Sequence, residues 1–149
     1  MASSTFTIPY RAIVQGDRPR PYLVMMVEGI NGQSGPVIGI ADSGADVTSL
    51  PMDYASLMGY TPQTLSPQTM AHAAGTATAY LATEPATIFV PEIPDVKILV
   101  TPTFIPGAQH ALWGRSDFMA AFTVSFDEAR QEFSLTYRVS EPDPSAEDG

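Results

Sequence analysis

Residues 39–51 read GIADSGADVTSLP. Val37, Ile38 and Ile40 make an apolar run of the kind that is buried in a strand, and the run ends in a carboxylate, Asp42. Ser43, Gly44 and Ala45 follow at once and break the strand pattern. An acid set at the tip of an apolar strand poses the question of what that carboxylate serves.

Working outward, TFTIPYRAIV (5–14) and RPYLVMMVEG (20–29) read as two strands joined by the polar QGDRPR. Asn31-Gly32 then signals a type I′ turn into PVIGIAD (36–42), so a meander of three strands is expected to end at Asp42. MDYASLMGY (52–60) suits a short helix ending near Gly59. QTMAHAAGTATAYLAT (68–83) has two strand-like arms around a tip of small residues, Ala73, Ala74, Gly75 and Thr76. ATIFVPEI (86–93) and VKILVTPTFI (96–105) are two further strands, and ALWGRSDFMAAF (111–122) turns at Gly114 into a short helical stretch. FTVSFDEARQEFSLTY (122–137) alternates apolar and polar residues on both sides of DEARQ, the pattern of a closing β-hairpin.

Composition agrees with a mainly β chain. Fourteen prolines and eleven glycines in 149 residues punctuate the sequence too often for long helices. A hydrophobic content of 44% supports one ordinary core, so residues 1–139 are expected to form a single domain. The acidic, proline-containing end SEPDPSAEDG (140–149) is expected to be a solvated, disordered tail. No cysteine is available for a disulfide or a thiolate metal site, and two histidines far apart make no zinc constellation, so no metal and no cofactor are expected. Sixteen acids against seven bases, a formal charge of −9, argue against a nucleic-acid partner. Without a leader-like N-terminus or a long apolar run, no membrane partner is expected and the location is read as cytoplasmic.

Asp42-Ser43-Gly44-Ala45-Asp46, a hairpin of small residues some 30 positions later, and Leu112-Trp113-Gly114-Arg115 before a short helix occur in the order and spacing of one family. Over roughly residues 5–138 the chain resembles the retropepsin-like aspartic peptidases, in their bacterial or retroelement, single-domain and homodimeric form. The resemblance implies the acid protease fold, a single-lobe, closed, barrel-like β domain with one or two short helices. It implies an aspartic endopeptidase that hydrolyses peptide bonds with a water activated between two Asp42 carboxylates. One D-S-G per chain means that the second carboxylate comes from a second copy, so a homodimer is part of the implied mechanism.

The resemblance also assigns roles. Asp42 is catalytic, and Ser43, Gly44 and Ala45 complete the active-site loop. Asp46 positions substrate and pairs with Arg115. Leu112, Trp113 and Gly114 form the hydrophobic-hydrophobic-Gly motif beneath that loop. Ala73, Ala74, Gly75 and Thr76 form the tip of a flap that closes over peptide. Three departures from the retroviral pattern stand out: Trp113 replaces a smaller aliphatic residue, GRSD is longer, and the flap tip has fewer glycines. The reading from another class is a catalytically silent peptide-binding or dimerisation module of the same fold. A Ser/His/Asp hydrolase is disfavoured, because Ser34 lacks the G-x-S-x-G spacing and neither His72 nor His110 has a suggestive context.

Overall fold

The computed structural model describes residues 3–138; the expected acidic tail (140–149) lies outside the described residues. Mainly β structure is observed, with two short helices. Two compact units are distinguished, one made of the described residues up to Pro21 and from Ala121 onward, the other of Tyr22–Ala120.

The first unit is a three-stranded antiparallel sheet. Strand β1 (Ser3–Pro9) lies beside β12 (Glu132–Arg138), which pairs on its other side with β11 (Thr123–Asp127). Alternation puts Phe6 opposite Leu135, Ile8 opposite Phe133, and Val124 opposite Leu135 on one face. Thr5 and Thr7 meet Thr136 and Ser134 through their hydroxyls on the other. The expected closing hairpin 122–137 is formed. Its turn is closed by Gln131 at φ 53, and Tyr10 N–H donates to the Gln131 carbonyl at 2.7 Å. The Tyr10 hydroxyl donates to Glu128, and burial followed by this bond pushes its pKa up to about 12.

The expected meander is not formed, because β1 takes β12 as its ladder partner and leaves the following strand to others. Arg11 and Arg20 make only an isolated bridge within the intervening loop.

The second unit carries a nine-stranded sheet built on β2 (Tyr22–Glu28), β3 (Ser34–Ala41), β4 (Ser49–Pro51), β5 (Leu65–His72), β6 (Gly75–Ala82), β7 (Ala86–Phe89), β8 (Ile98–Val100), β9 (Thr103–Ile105) and β10 (Ala111–Trp113). The order is β5-β6-β9-β4-β10-β3-β2-β7-β8. Most neighbours are antiparallel, but β10 runs parallel to β3 and β9 parallel to β4. Two loops therefore cross beside one another where β3 and β10 end.

The sheet is not closed, contrary to the barrel-like lobe expected. Its ends are β5 and β8, which do not pair. Residues 66–71 of β5, Met70 among them, and Leu99 of β8 are exposed, so neither edge is covered by the other. The stretch 96–105 is two strands rather than one, divided at Thr101-Pro102, where proline cannot donate to a ladder. The core of this unit is Met25, Leu50, Ile88, Val100, Phe104, Trp113 and Phe118, all but fully buried.

Helix α1 (Asp53–Leu57) ends at Met58 and turns back at Gly59, whose φ of +89° favours glycine as the sequence indicates. The β2–β3 turn is not type I′. That geometry needs both central residues at positive φ, whereas only Gly32 (φ +80°) has it; Asn31 does not. The Asn31 side chain instead accepts from Gln33 N–H and donates to the Leu57 carbonyl, tying the turn to the end of α1. Helix α2 (Phe118–Ala121) follows β10. No helix among the described residues is long and apolar enough to cross a membrane.

Candidate active site

Strand β3 delivers Asp42 to the point where the two crossing loops meet. Its N–H donates to the carbonyl of Trp113 at 3.1 Å, so the first residue beyond β3 is pinned to the last residue of β10. The chain then turns sharply. Ala45 N–H bonds to the Asp42 carbonyl at 3.2 Å, and Gly44 N–H donates to Asp42 Oδ1 at 2.8 Å. The carboxylate is half-buried and oriented by this main-chain donor, while Ser43 and Gly44 face solvent. A Cβ on Gly44 would come within 3.2 Å of Asp42 Oδ1, so a larger residue would crowd the oxygen that its own amide orients.

The second motif closes on this turn almost entirely through the main chain. Arg115 N–H donates to the Ala45 carbonyl at 2.9 Å, while Ser116 donates to the Asp46 carbonyl through both its N–H (2.9 Å) and its hydroxyl (2.7 Å). Gly114 is packed so tightly that an added Cβ would lie 2.3 Å from the carbonyl carbon of Val47. The expected ion pair between Asp46 and Arg115 is not among the ion pairs of the described residues. Both side chains are exposed, where a pair gains little, and the backbone bonds already join the two segments.

Trp113 is fully buried and its indole N–H donates to the Leu23 carbonyl at 2.9 Å; Leu112, its neighbour in the motif, is half-buried. The indole lies over Gly39, where a Cβ would be 2.7 Å from Cε2 and Nε1. The large residue in the motif is thus accommodated by a missing side chain in β3.

Two residues of this site, Thr48 at the end of the run Ala45-Asp46-Val47-Thr48 and Asp117 at the end of GRSD, were given no role by the sequence reading. Thr48 has no exposed surface, and its hydroxyl accepts from Gly114 N–H (3.1 Å) while donating to Asp117 Oδ1 (2.7 Å). Asp117 also accepts from Thr48 N–H (2.9 Å) and from Phe118 N–H (2.6 Å). A threonine and an aspartate 69 positions apart carry no local signal of their pairing.

The small-residue hairpin is formed by β5 and β6, with His72 opposite Gly75 and Ala73-Ala74 between them. Gly75 sits at φ +132°, a conformation that L side chains rarely adopt. Only Tyr80 and Leu81 of β6 pair with β9, and residues 73–78 are exposed, so the outer half extends beyond the sheet as a two-stranded ribbon. Such a ribbon is marginal on its own and free to bend.

At the base of the hairpin a pocket of about 580 Å³ is lined by Met52, Ala55, Tyr60, Pro62, Leu65 and Tyr80 among others. The Tyr60 hydroxyl donates to the Glu84 carbonyl at 2.7 Å; burial, and then the Glu84 charge, push its pKa up to about 12. Asp42 lines neither this pocket nor the smaller one beside α1. In one copy of the chain the D-S-G turn is a half-open surface.

No family model matches the chain, and no curated protein matches it. Among solved structures, a retropepsin-like aspartic protease from Rickettsia conorii superposes with a TM-score of 0.64 at 16% sequence identity, covering 91% of this chain and 94% of that one. At that identity the likeness speaks for the fold: the chain has a retropepsin-like fold, with Asp42 at the crossing of its two central loops.

Proposed function

We propose that the chain is an aspartic endopeptidase that works as a homodimer, with the Asp42 carboxylates of two copies sharing one proton across the dimer axis. The observation that carries the reading is Asp42 itself: a half-buried carboxylate at the end of an apolar strand, pinned through its main chain to Trp113 and oriented by Gly44 N–H. That turn stands open in one copy, as expected of half a site.

In the proposed reaction the ionised member of the pair takes a proton from a bound water, which attacks the scissile carbonyl carbon. The protonated member hydrogen-bonds the carbonyl oxygen as it gains charge. The C–N bond then breaks as the amine is protonated, and the pair is left sharing a proton again. Two carboxylates about 3 Å apart cannot both ionise, so acid and base are available together without a metal or a covalent intermediate.

Ser43 and Gly44, exposed at the turn, are the residues that would meet the second copy. The β5–β6 hairpin would cover bound peptide and keep bulk water out. The single D-S-G per chain also supports a second reading, a module that binds peptide or dimerises without cutting, should two Asp42 side chains never come together.

The test is incubation of the purified chain with a diverse peptide library, with and without a pepstatin-type inhibitor, beside Asp42→Asn. Inhibitor-sensitive cleavage that Asp42→Asn lacks supports the peptidase. Peptide binding without cleavage selects the silent module, and cleavage by Asp42→Asn at the wild-type rate removes Asp42 from the reaction.

A further inference from the structure

We propose that Asp117 is a positioning residue for Asp42, acting through the hydroxyl of Thr48 to lock the two crossing loops in one arrangement. The inference rests on the peptidase reading only for its catalytic consequence; the locking itself stands on the geometry.

Four bonds define the lock. Gly114 N–H donates to Thr48 Oγ1, Thr48 Oγ1 donates to Asp117 Oδ1, Thr48 N–H donates to Asp117 Oδ2, and Phe118 N–H donates to Asp117 Oδ1. The carboxylate thus accepts three bonds, two of them from the loop that begins at Asp42 and one from its own. The hydroxyl in the middle has no solvent exposure, so its two bonds cannot be exchanged for water without opening the packing. Both ends of the relay bear on Asp42. Gly114 directly follows Trp113, whose carbonyl holds Asp42 N–H, and Thr48 closes the loop in which Ala45 and Asp46 hold Arg115 and Ser116.

A plain alternative is that Asp117 merely caps α2, since one of its bonds is to Phe118 N–H. Asp117→Ser separates the two roles. Serine preserves an acceptor for the cap but is too short to hold both the Thr48 hydroxyl and its N–H.

The experiment is amide hydrogen exchange on wild type, Thr48→Val, Thr48→Ser and Asp117→Ser. It reads the Asp42 and Arg115 amides, which bridge the loops without touching Thr48, against the β2–β3 ladder. Losing the relay should speed exchange at Asp42 and Arg115 roughly tenfold or more in Thr48→Val and Asp117→Ser, with the ladder unchanged and Thr48→Ser close to wild type. Should Thr48→Val fail to fold, Asp117→Asn is read in its place, because an amide turns a donor toward at least one of the donors that Asp117 now satisfies. Wild-type exchange at both amides in Asp117→Ser reduces Asp117 to a cap and overturns the proposal, as does wild-type exchange in Thr48→Val.

The catalytic consequence is a fall in kcat of roughly tenfold or more with KM within about threefold, recovered in Thr48→Ser. A kcat unchanged in variants whose loops exchange faster would show that the lock does not serve catalysis. A wild type that cleaves no peptide would defeat the peptidase reading, while the exchange data would still decide the lock.

Discussion

The packing of Trp113 on Gly39 makes a coupled pair whose energetics can be worked from the structure. Gly39→Ala would place a Cβ 2.7 Å from the indole Cε2 and Nε1 and 2.8 Å from the Ala111 Cβ. None of these is the free end of a flexible side chain, and Trp113 has no exposed surface. Relief requires the ring or strand β10 to shift by most of an ångström, which as overpacking costs about 1–3 kcal/mol. The lower backbone entropy of alanine in the unfolded chain offsets about 0.5–1 kcal/mol of that.

Trp113→Phe alone should cost about 2–4 kcal/mol. It removes the bond to the Leu23 carbonyl and leaves a void where the distal six-membered ring was. In that background the smaller phenyl ring can shift into the void and away from the alanine methyl, so the two changes should not add. The double variant is expected to be about 1–2 kcal/mol more stable than the sum of the single effects. Urea unfolding followed by circular dichroism is the assay, because Trp113 is the chain's one tryptophan and fluorescence is lost with it. Additivity within about 0.5 kcal/mol would refute the claim that the missing side chain in β3 exists to seat the indole.

Other expectations concern separate parts of the chain. Gln131 sits at φ 53 in the β11–β12 turn, so Gln131→Gly should raise stability by about 0.5–1 kcal/mol, read as a higher urea midpoint at unchanged slope. Gly75→Ala forces a methyl group onto φ +132° with no neighbour to clash against. That φ is strained for an L side chain whatever the space around it, but it lies at the exposed tip of the ribbon, so thermal stability should fall modestly, whereas KM for peptide should rise several-fold if the hairpin covers substrate. Tyr60, raised to about 12 from an ordinary 10.0, favours the folded state while neutral. Its contribution is therefore complete below pH 10 and lost as pH climbs towards 12. Tyr60→Phe should flatten that part of a stability profile measured across the alkaline range.

Much of the site was legible because its signals are local. The apolar run into Asp42, the break at Ser43-Gly44, the small-residue hairpin and the alternation on either side of DEARQ each announce themselves within a few residues, and each is found in place. What was not legible depends on partners distant in sequence. Ser3 pairs with Arg138, and β3 lies parallel to β10; nothing in either strand names its neighbour. The Asn31-Gly32 signal was overridden because the asparagine side chain is used to hold Leu57, so its backbone does not take the positive φ that a type I′ turn needs. Asp46 and Arg115 carry opposite charges in the motifs that meet, yet the motifs are joined by bonds from Arg115 N–H to the Ala45 carbonyl and from Ser116 to the Asp46 carbonyl. The side chains that bridge the loops are Ser116, Thr48 and Asp117, and nothing local names the partner of any of them.

The central claim is that catalysis needs an Asp42 carboxylate from each of two chains. Subunit mixing tests it most directly. Wild type at fixed concentration is incubated with a roughly fourfold excess of Asp42→Asn until subunits have exchanged, and peptide hydrolysis is then measured. With random pairing about one fifth of the wild-type chains find a wild-type partner, so activity should fall to about one fifth of that of wild type alone. Activity that stays proportional to the wild-type chains present, whatever excess of the variant is added after verified exchange, would contradict a dyad shared between two copies.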